Sequence, residues 1–222
     1  MKKNLLIISI VLCAVVLITG CEKKGKDVEN TNKKYDYLVL VNKQNKLPDD
    51  WESIVELVDT KNAWDEDIKI EKETFEAYKK LKAVLEKEGV YIELDSVYRS
   101  VKAQQELWDR WSEDPEKGPE YVKKYVAVPG YSEHHTGLAV DICLKIDGKL
   151  VYDNDEMKKE KEIFSKIHSK LADYGFILRY LDGKDDITGY AYEPWHLRYI
   201  GSVEIAKEIM SKNITFEEYL KK

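Results

Sequence analysis

Cysteine is scarce in this sequence and positive charge is not in excess, and each absence excludes a class of protein. Three cysteines occur among 222 residues, too few for a disulfide-stabilised scaffold of this size. The formal net charge of −6 argues against nucleic acid as a partner. Hydrophobic residues make up 43% and charged residues 35%, which excludes a disordered or fibrous chain. The composition therefore predicts a soluble globular domain.

Long apolar runs are absent except at the N-terminus. Residues 5–19 are almost uninterruptedly apolar and follow Lys2 and Lys3, but they are fewer than the roughly 20 residues that span a bilayer. The run is typical of a secretory signal, and its end, LITGC, resembles the lipobox of bacterial lipoproteins. That resemblance implies a lipoprotein signal peptide over residues 1–20 and a diacylated Cys21, with the protein on the extracellular face of the cell membrane. The alternatives are an uncleaved anchor and an ordinary signal peptide.

The next segment has almost no apolar side chains. Its sequence, EKKGKDVENTNKKYD, is typical of a flexible tether, so we assign residues 21–36 to the lipidated cysteine and a tether. A single folded domain is expected over residues 37–222, starting with YLVLVN, which predicts a strand or extended segment. Cys143 has no cysteine partner left in this domain, so we expect it to be buried as a small hydrophobic residue.

Hydrophobic periodicity predicts a mixture of helices and hairpin-linked strands. No regular alternation of strand and helix is visible, which favours a single-domain α+β fold with a small antiparallel sheet flanked by helices. Helices are predicted by apolar spacings of three or four residues, and strands by short apolar β-prone runs. The predicted helices cover residues 71–88, 101–111, 160–174 and 203–210, with a short turn after Thr215, and the predicted strands cover residues 90–94, 138–144, 150–152, 176–180 and 195–200.

Three of the four histidines fall in two short blocks. The first block, SEHHTGLAVD, holds His134, His135 and Asp141, and its glycine and β-prone LAVDI predict a loop that leads into a strand. Catalytic zinc takes three protein ligands from His, Asp, Glu or Cys and keeps one open position. A metal site is therefore one interpretation of the block, and a polar loop before a core strand is the other.

The second block, EPWHLRY, adds Glu193 and His196. In an ideal strand, residues three apart face opposite sides, so these two side chains converge only if the chain bends between them. Pro194 can mark such a bend. A carboxylate close to a metal-bound water can act as general base and then general acid. The alternative is a surface turn with a packed Trp195.

A third block, YRS, places Arg99 after a predicted strand, with Gln104 five residues later. A guanidinium there could bind a carboxylate through two parallel hydrogen bonds. A surface ion pair is the alternative.

Together these blocks resemble the VanY/LdcB-type zinc D-alanyl-D-alanine carboxypeptidases, peptidase family M15, subfamily B. SEHHTGLAVD resembles the SxHxxGxAxD signature of that family, and EPWHLRY is similar to its ExxH segment, including the tryptophan before the histidine. YRSVKAQ resembles the upstream YRS…Q block, and YLVLVNKQNKLP resembles the usual start of the domain. The resemblance covers residues 37–222 and implies the zinc peptidase fold shared with hedgehog and DD-peptidases.

The resemblance implies a role for each matching residue. His134, Asp141 and His196 match the zinc ligands. Glu193 matches the catalytic carboxylate, and Arg99 matches the residue that binds the terminal carboxylate of the substrate or the developing oxyanion.

Other matching positions contact substrate in the family, namely Gln104, Ser132 and Trp195, together with Arg99. One residue departs from the pattern, since His135 stands where glutamine is usual. Two adjacent histidines leave the first zinc ligand ambiguous, and the register of the motif favours His134.

The function implied is a zinc-dependent carboxypeptidase that removes the C-terminal D-alanine from peptidoglycan stem peptides at the cell surface, with a monomer expected. D,D-carboxypeptidase and L,D-carboxypeptidase activity both stay open, because one pocket wall decides between them. The alternative from another class is a catalytically inactive, zinc-stabilised cell-wall binding module. Glu193 argues against that alternative, since a binding site does not need a general base.

Overall fold

The computed structural model describes residues 35–115 and 118–221, which build two antiparallel sheets with helices packed around them. None of the helices among these residues has the length and apolar character of a membrane-spanning segment. The predicted signal peptide, Cys21 and nearly all of the tether lie outside the described residues. The described part matches the predicted α+β class.

The strands form a small two-stranded sheet and a central sheet. The central sheet has the strand order β3-β4-β7-β6, and β5 pairs with β4, all antiparallel. The strands are β1 (Leu57–Lys61), β2 (Asp67–Glu71), β3 (Ile92–Ser96), β4 (Ala139–Ile146), β5 (Lys149–Val151), β6 (Phe176–Tyr180) and β7 (Glu193–Tyr199). Strands β4 and β7 lie side by side in the middle of the central sheet, where side chains are most completely enclosed.

The helices lie around this sheet and come before, between or after its strands in the chain. They are α1 (Lys72–Lys87), α2 (Val101–Ser112), α3 (Gly118–Tyr125), α4 (Asn154–Met157), α5 (Lys161–Leu171), α6 (Asp185–Thr188), α7 (Val203–Lys212) and α8 (Phe216–Leu220). Short 3-10 helices cover Trp51–Ser53, Glu133–Thr136 and Ala172–Tyr174.

Helix α1 shows how the predicted periodicity becomes packing. The Glu71 side chain caps its N-terminus by accepting the backbone N–H groups of Glu73 and Thr74, which satisfies donors that have no partner within the helix. Its buried face contributes Leu81 and Leu85 to the main core, together with Ile142 of β4 and Phe164 of α5, among others. Gly89 ends the helix with a φ of +75°, as expected for the residue after a C-cap.

The YLVLVN segment was predicted as a strand or extended segment, and the prediction of a strand is wrong. Within the described residues it makes only an isolated bridge, between Asn42 and Asn45. The physical reason is that a side chain takes the place of a neighbouring strand. The guanidinium of Arg198 donates through Nη2 to the carbonyl oxygens of Tyr37 and Val39, at 3.0 and 2.9 Å.

Candidate active site

Three side chains converge at the centre of the sheet. The ligand atoms of His134, Asp141 and His196 all lie within 4.8 Å of one another. His134 lies on the 3-10 turn just before β4, while Asp141 on β4 is directly opposite His196 on β7. The predicted loop leading into a strand is confirmed. The structure therefore brings the three predicted zinc ligands together through one turn and one strand pair.

The donor set fits zinc. Two imidazoles and a carboxylate are ligands that zinc takes in sites that keep an open position. Asp141 Oδ2 lies 3.1 Å from His134 Nε2, and Oδ1 lies 2.9 Å from His196 Nδ1. Oδ1 is nonetheless buried without a well-aligned hydrogen bond among the described residues. A buried, unsatisfied carboxylate oxygen is costly, and a cation bound between the three side chains would remove that cost.

Electrostatics at this cluster also favour a cation. Burial raises the pKa of Asp141, but the neighbouring His134 and His196 imidazoles outweigh burial and hold it below its ordinary value. The carboxylate is therefore ionised and available as a ligand across the physiological pH range.

The second nitrogen of each imidazole is also engaged. His134 Nδ1 lies 2.7 Å from the carbonyl oxygen of Val97, so Nδ1 carries the proton and Nε2 faces Asp141. His196 Nε2 lies 3.4 Å from Glu133 Oε2, so Nδ1 faces the cluster. Such outer hydrogen bonds fix the tautomer and the orientation of metal-binding histidines.

The adjacent histidine has a different environment. His135 Nδ1 lies 2.5 Å from the carbonyl oxygen of Arg99, and His135 Nε2 accepts the backbone N–H of Gly130 at 3.0 Å. Burial lowers the pKa of His135, which agrees with a neutral ring that donates through Nδ1. Both nitrogens are thus occupied, and the cluster contains His134 instead.

Glu193 lies at the start of β7, 3.8 Å from His196 Nδ1 between the nearest atoms. The bend that these two side chains need in order to converge is present. The β6–β7 pairing passes from Leu178↔Leu197 to Tyr180↔Glu193, so β7 carries two extra residues there, and this bulge re-aims the side chains. Burial raises the pKa of Glu193 to about 8, close to the range in which a proton can be both taken and returned.

Arg99 is held by neutral groups. Nη1 donates to Gln104 Oε1 and Nη2 donates to Ser96 Oγ, each at 2.7 Å. Burial lowers the pKa of Arg99. Among the described residues no carboxylate lies within salt-bridge distance of this guanidinium. Its charge is therefore available to an anionic group that enters the cleft.

The cluster opens into a cavity of about 200 Å³. Its lining includes four of the predicted site residues, Arg99, Ser132, Glu193 and Trp195, beside the three that converge at the cluster. Gln104 is not part of the lining, because its amide donates to the Ala127 carbonyl at 2.7 Å behind Arg99. Its substrate contact stays a prediction, and the structure shows it supporting Arg99.

Sequence reasoning missed three further residues of this region. Tyr180 packs its ring against His196, with 4.8 Å between centroids. Asp95 also lines the cavity, and burial raises its pKa to about 6. Glu133 lies beneath His196 and is nearly inaccessible, with 2% of its surface exposed. The tyrosine and Asp95 carry no sequence signal beyond their strand positions.

Comparisons with known proteins agree with this geometry. The family model VanY, described as D-alanyl-D-alanine carboxypeptidase, matches residues 67–202. A relative from Bacillus subtilis (strain 168), named "Putative carboxypeptidase YodJ", is 38% identical over 204 residues, which are 90% of this chain and 72% of YodJ.

Two solved structures are similar across most of this chain. One is the vancomycin-resistance D,D-pentapeptidase VanY of a VanB-type cassette in complex with Zn(II), with 32% identity, a TM-score of 0.66, and coverage of 83% of this chain and 98% of that one. The other is the LdcB LD-carboxypeptidase, with 36% identity, a TM-score of 0.70, and coverage of 84% of this chain and 86% of that one.

Proposed function

This chain belongs to the VanY family of zinc-dependent D-alanyl-D-alanine carboxypeptidases, and we propose that it removes the C-terminal D-alanine from peptidoglycan stem peptides at the outer surface of the cell. The observation that carries the proposal is the shared cavity. This cavity is lined by the three-residue cluster, by the buried Glu193 and by Arg99, whose guanidinium makes no ion pair among the described residues. A carboxypeptidase needs these three functions, which are activation of water, transfer of a proton and recognition of a terminal carboxylate.

Each residue of the site has one role in this proposal. His134, Asp141 and His196 would hold a zinc ion, which would supply a Lewis acid for the scissile carbonyl and would lower the pKa of a bound water to about 7. Glu193 accepts the proton of the attacking water and passes it to the leaving amine of D-alanine. Its position supports both steps, because the carboxyl group lines the cavity beside the cluster, where it can reach the attacking water and the leaving amine.

Arg99 is proposed to bind the terminal carboxylate of the substrate. Its hydrogen bonds to Gln104 and Ser96 hold the guanidinium in place without neutralising its charge. Two parallel charge-assisted hydrogen bonds to a carboxylate are the geometry that arginine provides best. Ser132 and Trp195, which line the same cavity, are proposed as further substrate contacts.

Both stereochemical specificities belong to the proposal. One solved relative is named as a D,D-pentapeptidase and the other as an LD-carboxypeptidase, so removal of D-alanine from pentapeptide and from tetrapeptide stems are both candidates. The inactive binding module is disfavoured because Glu193 is buried beside the cluster, 6% exposed. A binding site gains nothing from burying that acid.

Membrane attachment is proposed from the sequence. A diacylated Cys21 supplies the two acyl chains that stable anchoring requires. The polar segment after it would let the domain, acting as a monomer, reach the cell wall.

The test uses the full-length protein in detergent. It is incubated with pentapeptide and tetrapeptide muropeptides, with and without a chelator, and the products are identified by mass. Loss of one alanine from pentapeptide alone supports D,D activity, and loss from tetrapeptide supports L,D activity. Cleavage that is insensitive to the chelator contradicts the zinc mechanism, and zinc binding without any cleavage favours the binding module. Mass spectrometry of the membrane-extracted protein tests the diacylglycerol on Cys21.

A further inference from the structure

Two arginines are buried in the central sheet. Arg179 on β6 and Arg198 on β7 have no exposed surface. Ile177 lies opposite Arg198, and Arg179 is two positions further along β6, so both arginines occupy the same face of the sheet. A buried guanidinium costs several kcal/mol unless it is paired and hydrogen-bonded. The face must therefore contain buried acid.

Glu133 provides that acid. Its Oε1 accepts from Arg179 Nε at 2.7 Å and from Arg198 Nη1 at 3.0 Å. The two guanidinium groups offset the desolvation cost of the buried negative charge on Glu133. Glu133 lies on the 3-10 turn between Ser132 and His134, so the acid immediately precedes the first residue of the metal cluster.

The second oxygen of Glu133 points to the metal cluster. Oε2 lies 3.4 Å from His196 Nε2, while Nδ1 of the same ring faces Asp141 at 2.9 Å. The ring is further held by edge-to-face contact with His134, at 5.1 Å and 90° between ring planes. One carboxylate thus joins the arginine pair to the imidazole of His196.

We propose that Glu133 is a positioning residue of the metal centre. It accepts the Nε2–H of His196, which keeps that ring in the tautomer whose Nδ1 is available to the metal. Arg179 and Arg198 fix the carboxylate in turn. The inference rests on the proposed zinc-binding role of His196. Outer carboxylates of this kind typically contribute about 10- to 100-fold to metal affinity.

A fourth residue explains why Glu133 can accept a hydrogen bond from His196 while it also accepts hydrogen bonds from two arginines. Arg179 also donates to Glu217 of α8, from Nη1 at 2.9 Å and from Nη2 at 2.6 Å. The network therefore contains two guanidinium groups and two carboxylates, and Glu217 pairs with one of the positive charges. Glu133 Oε2 thus remains available to accept a hydrogen bond from the His196 imidazole.

Glu217 also offers a matched control. It is a buried carboxylate of the same network, 5% exposed, and it contacts Arg179 and Asn42 but not His196. If Glu133 served only to pair the arginines, Glu133→Gln and Glu217→Gln would have similar consequences. If Glu133 positions His196, only Glu133→Gln changes the metal centre.

The experiment compares the full-length parent, Glu133→Gln and Glu217→Gln. Zinc affinity is measured by competition with a chromogenic chelator, and the absorption spectrum of the cobalt-substituted protein reports ligand geometry. We expect both variants to unfold at lower temperature, and only Glu133→Gln to lose about 10- to 100-fold in zinc affinity and to change the cobalt spectrum. Unchanged zinc affinity in Glu133→Gln, or an equal loss in Glu217→Gln, overturns the inference.

A measurement on the parent protein covers the case in which the variants do not fold. The chain has four histidines, so the ¹⁵N spectrum of histidine-labelled, zinc-loaded protein is simple. We expect His196 to carry its proton on Nε2, and an unprotonated Nε2 contradicts the inference. Failure of the proposed function looks different, because the parent itself would then bind no zinc or cleave neither stem peptide.

Discussion

The carboxylate of Asp141 lies directly across the β4–β7 pair from the imidazole of His196, with 2.9 Å between Oδ1 and Nδ1. Strand pairing thus sets the separation of two proposed zinc ligands before any metal is present. The third, His134, comes from the turn that starts β4. The site is therefore built mainly on rigid elements, which favours a preorganised metal geometry.

Substitution of Glu193 by glutamine should strongly reduce turnover without removing zinc. The amide keeps the shape of the side chain and cannot accept the proton of water, so we expect kcat to fall by about 10²- to 10⁴-fold. Steady-state kinetics on muropeptides and metal analysis check this. Glu120→Gln, on an exposed position of α3, is the matched control and should leave kcat unchanged. Full activity of Glu193→Gln would refute the role of Glu193 as base.

The same substitution should stabilise the metal-free protein in a defined pH range. Burial raises the pKa of Glu193 from its ordinary value of 4.5 to about 8. As pH rises through this window the unfolded chain loses a proton that the folded chain keeps, so the parent loses stability between about pH 4.5 and pH 8. Glu193→Gln removes this loss. Chemical unfolding with chelator present should show a gain at pH 8 and none near pH 4, and an equal gain at both pH values would contradict the prediction.

Zinc binding should release protons at neutral pH. Burial lowers the pKa of His196, but Asp141 and Glu133 outweigh it, and the pKa is raised to about 10. The metal-free ring is therefore protonated at pH 7, and zinc must displace the Nδ1 proton, so zinc affinity should fall as pH falls. Calorimetric titrations in two buffers with different ionisation enthalpies measure the protons released. Identical enthalpies in both buffers would show that none leaves.

The two adjacent histidines should differ in their effect on zinc. His134→Gln removes a nitrogen that faces Asp141, so we expect zinc binding to be lost. His135→Gln removes a ring that contacts only the backbone of Arg99 and Gly130 through its nitrogens, so zinc should be retained. Metal content after gel filtration distinguishes the pair. The reverse result would move the first ligand to His135.

Replacement of Arg99 by lysine should weaken recognition of the terminal carboxylate. Lysine keeps the charge but cannot form two parallel hydrogen bonds, and loss of a hydrogen bond to a charged group costs about 1.5–3 kcal/mol. We expect kcat/KM to fall about 10- to 100-fold on free-acid peptides and much less on C-terminal amides. Arg110→Lys, exposed on α2, is the control. An equal loss on both peptides would argue against carboxylate binding by Arg99.

Much of this fold could be predicted because its main elements carry clear local patterns. Helix α1 and strands β4 and β6 occur close to their predicted bounds, since the buried face of α1 repeats at helical spacing and the two strands are short runs of apolar, β-prone residues. The β1–β2 hairpin and α3 were missed. Strand β1 reads LVDTK and every residue in it is half-exposed or exposed, so no apolar alternation marks it. Helix α3 has one buried residue, Val122, so no repeating buried face marks it in the sequence.

The site residues that match known motifs were predicted from the sequence, but Glu133 was not. Strand β6 reads FILRY and β7 contains WHLRY, so each carries an arginine within an apolar strand. A charged residue there demands a buried partner of opposite sign, which was an available signal for Glu133 or Glu217. Which acidic residue forms an ion pair with which arginine depends on the tertiary fold and cannot be deduced from the spacing of residues in the sequence.

Arg198 limits how many N-terminal residues can be removed from the domain without loss of stability. Its Nη2 donates to the carbonyl oxygens of Tyr37 and Val39 while its Nη1 holds Glu133. Proteolytic removal of the chain through Val39 would leave two donors of a fully buried guanidinium without acceptors. The N-terminal boundary of a stable catalytic fragment therefore lies before Tyr37, even though no proposed catalytic or metal-binding residue precedes Arg99.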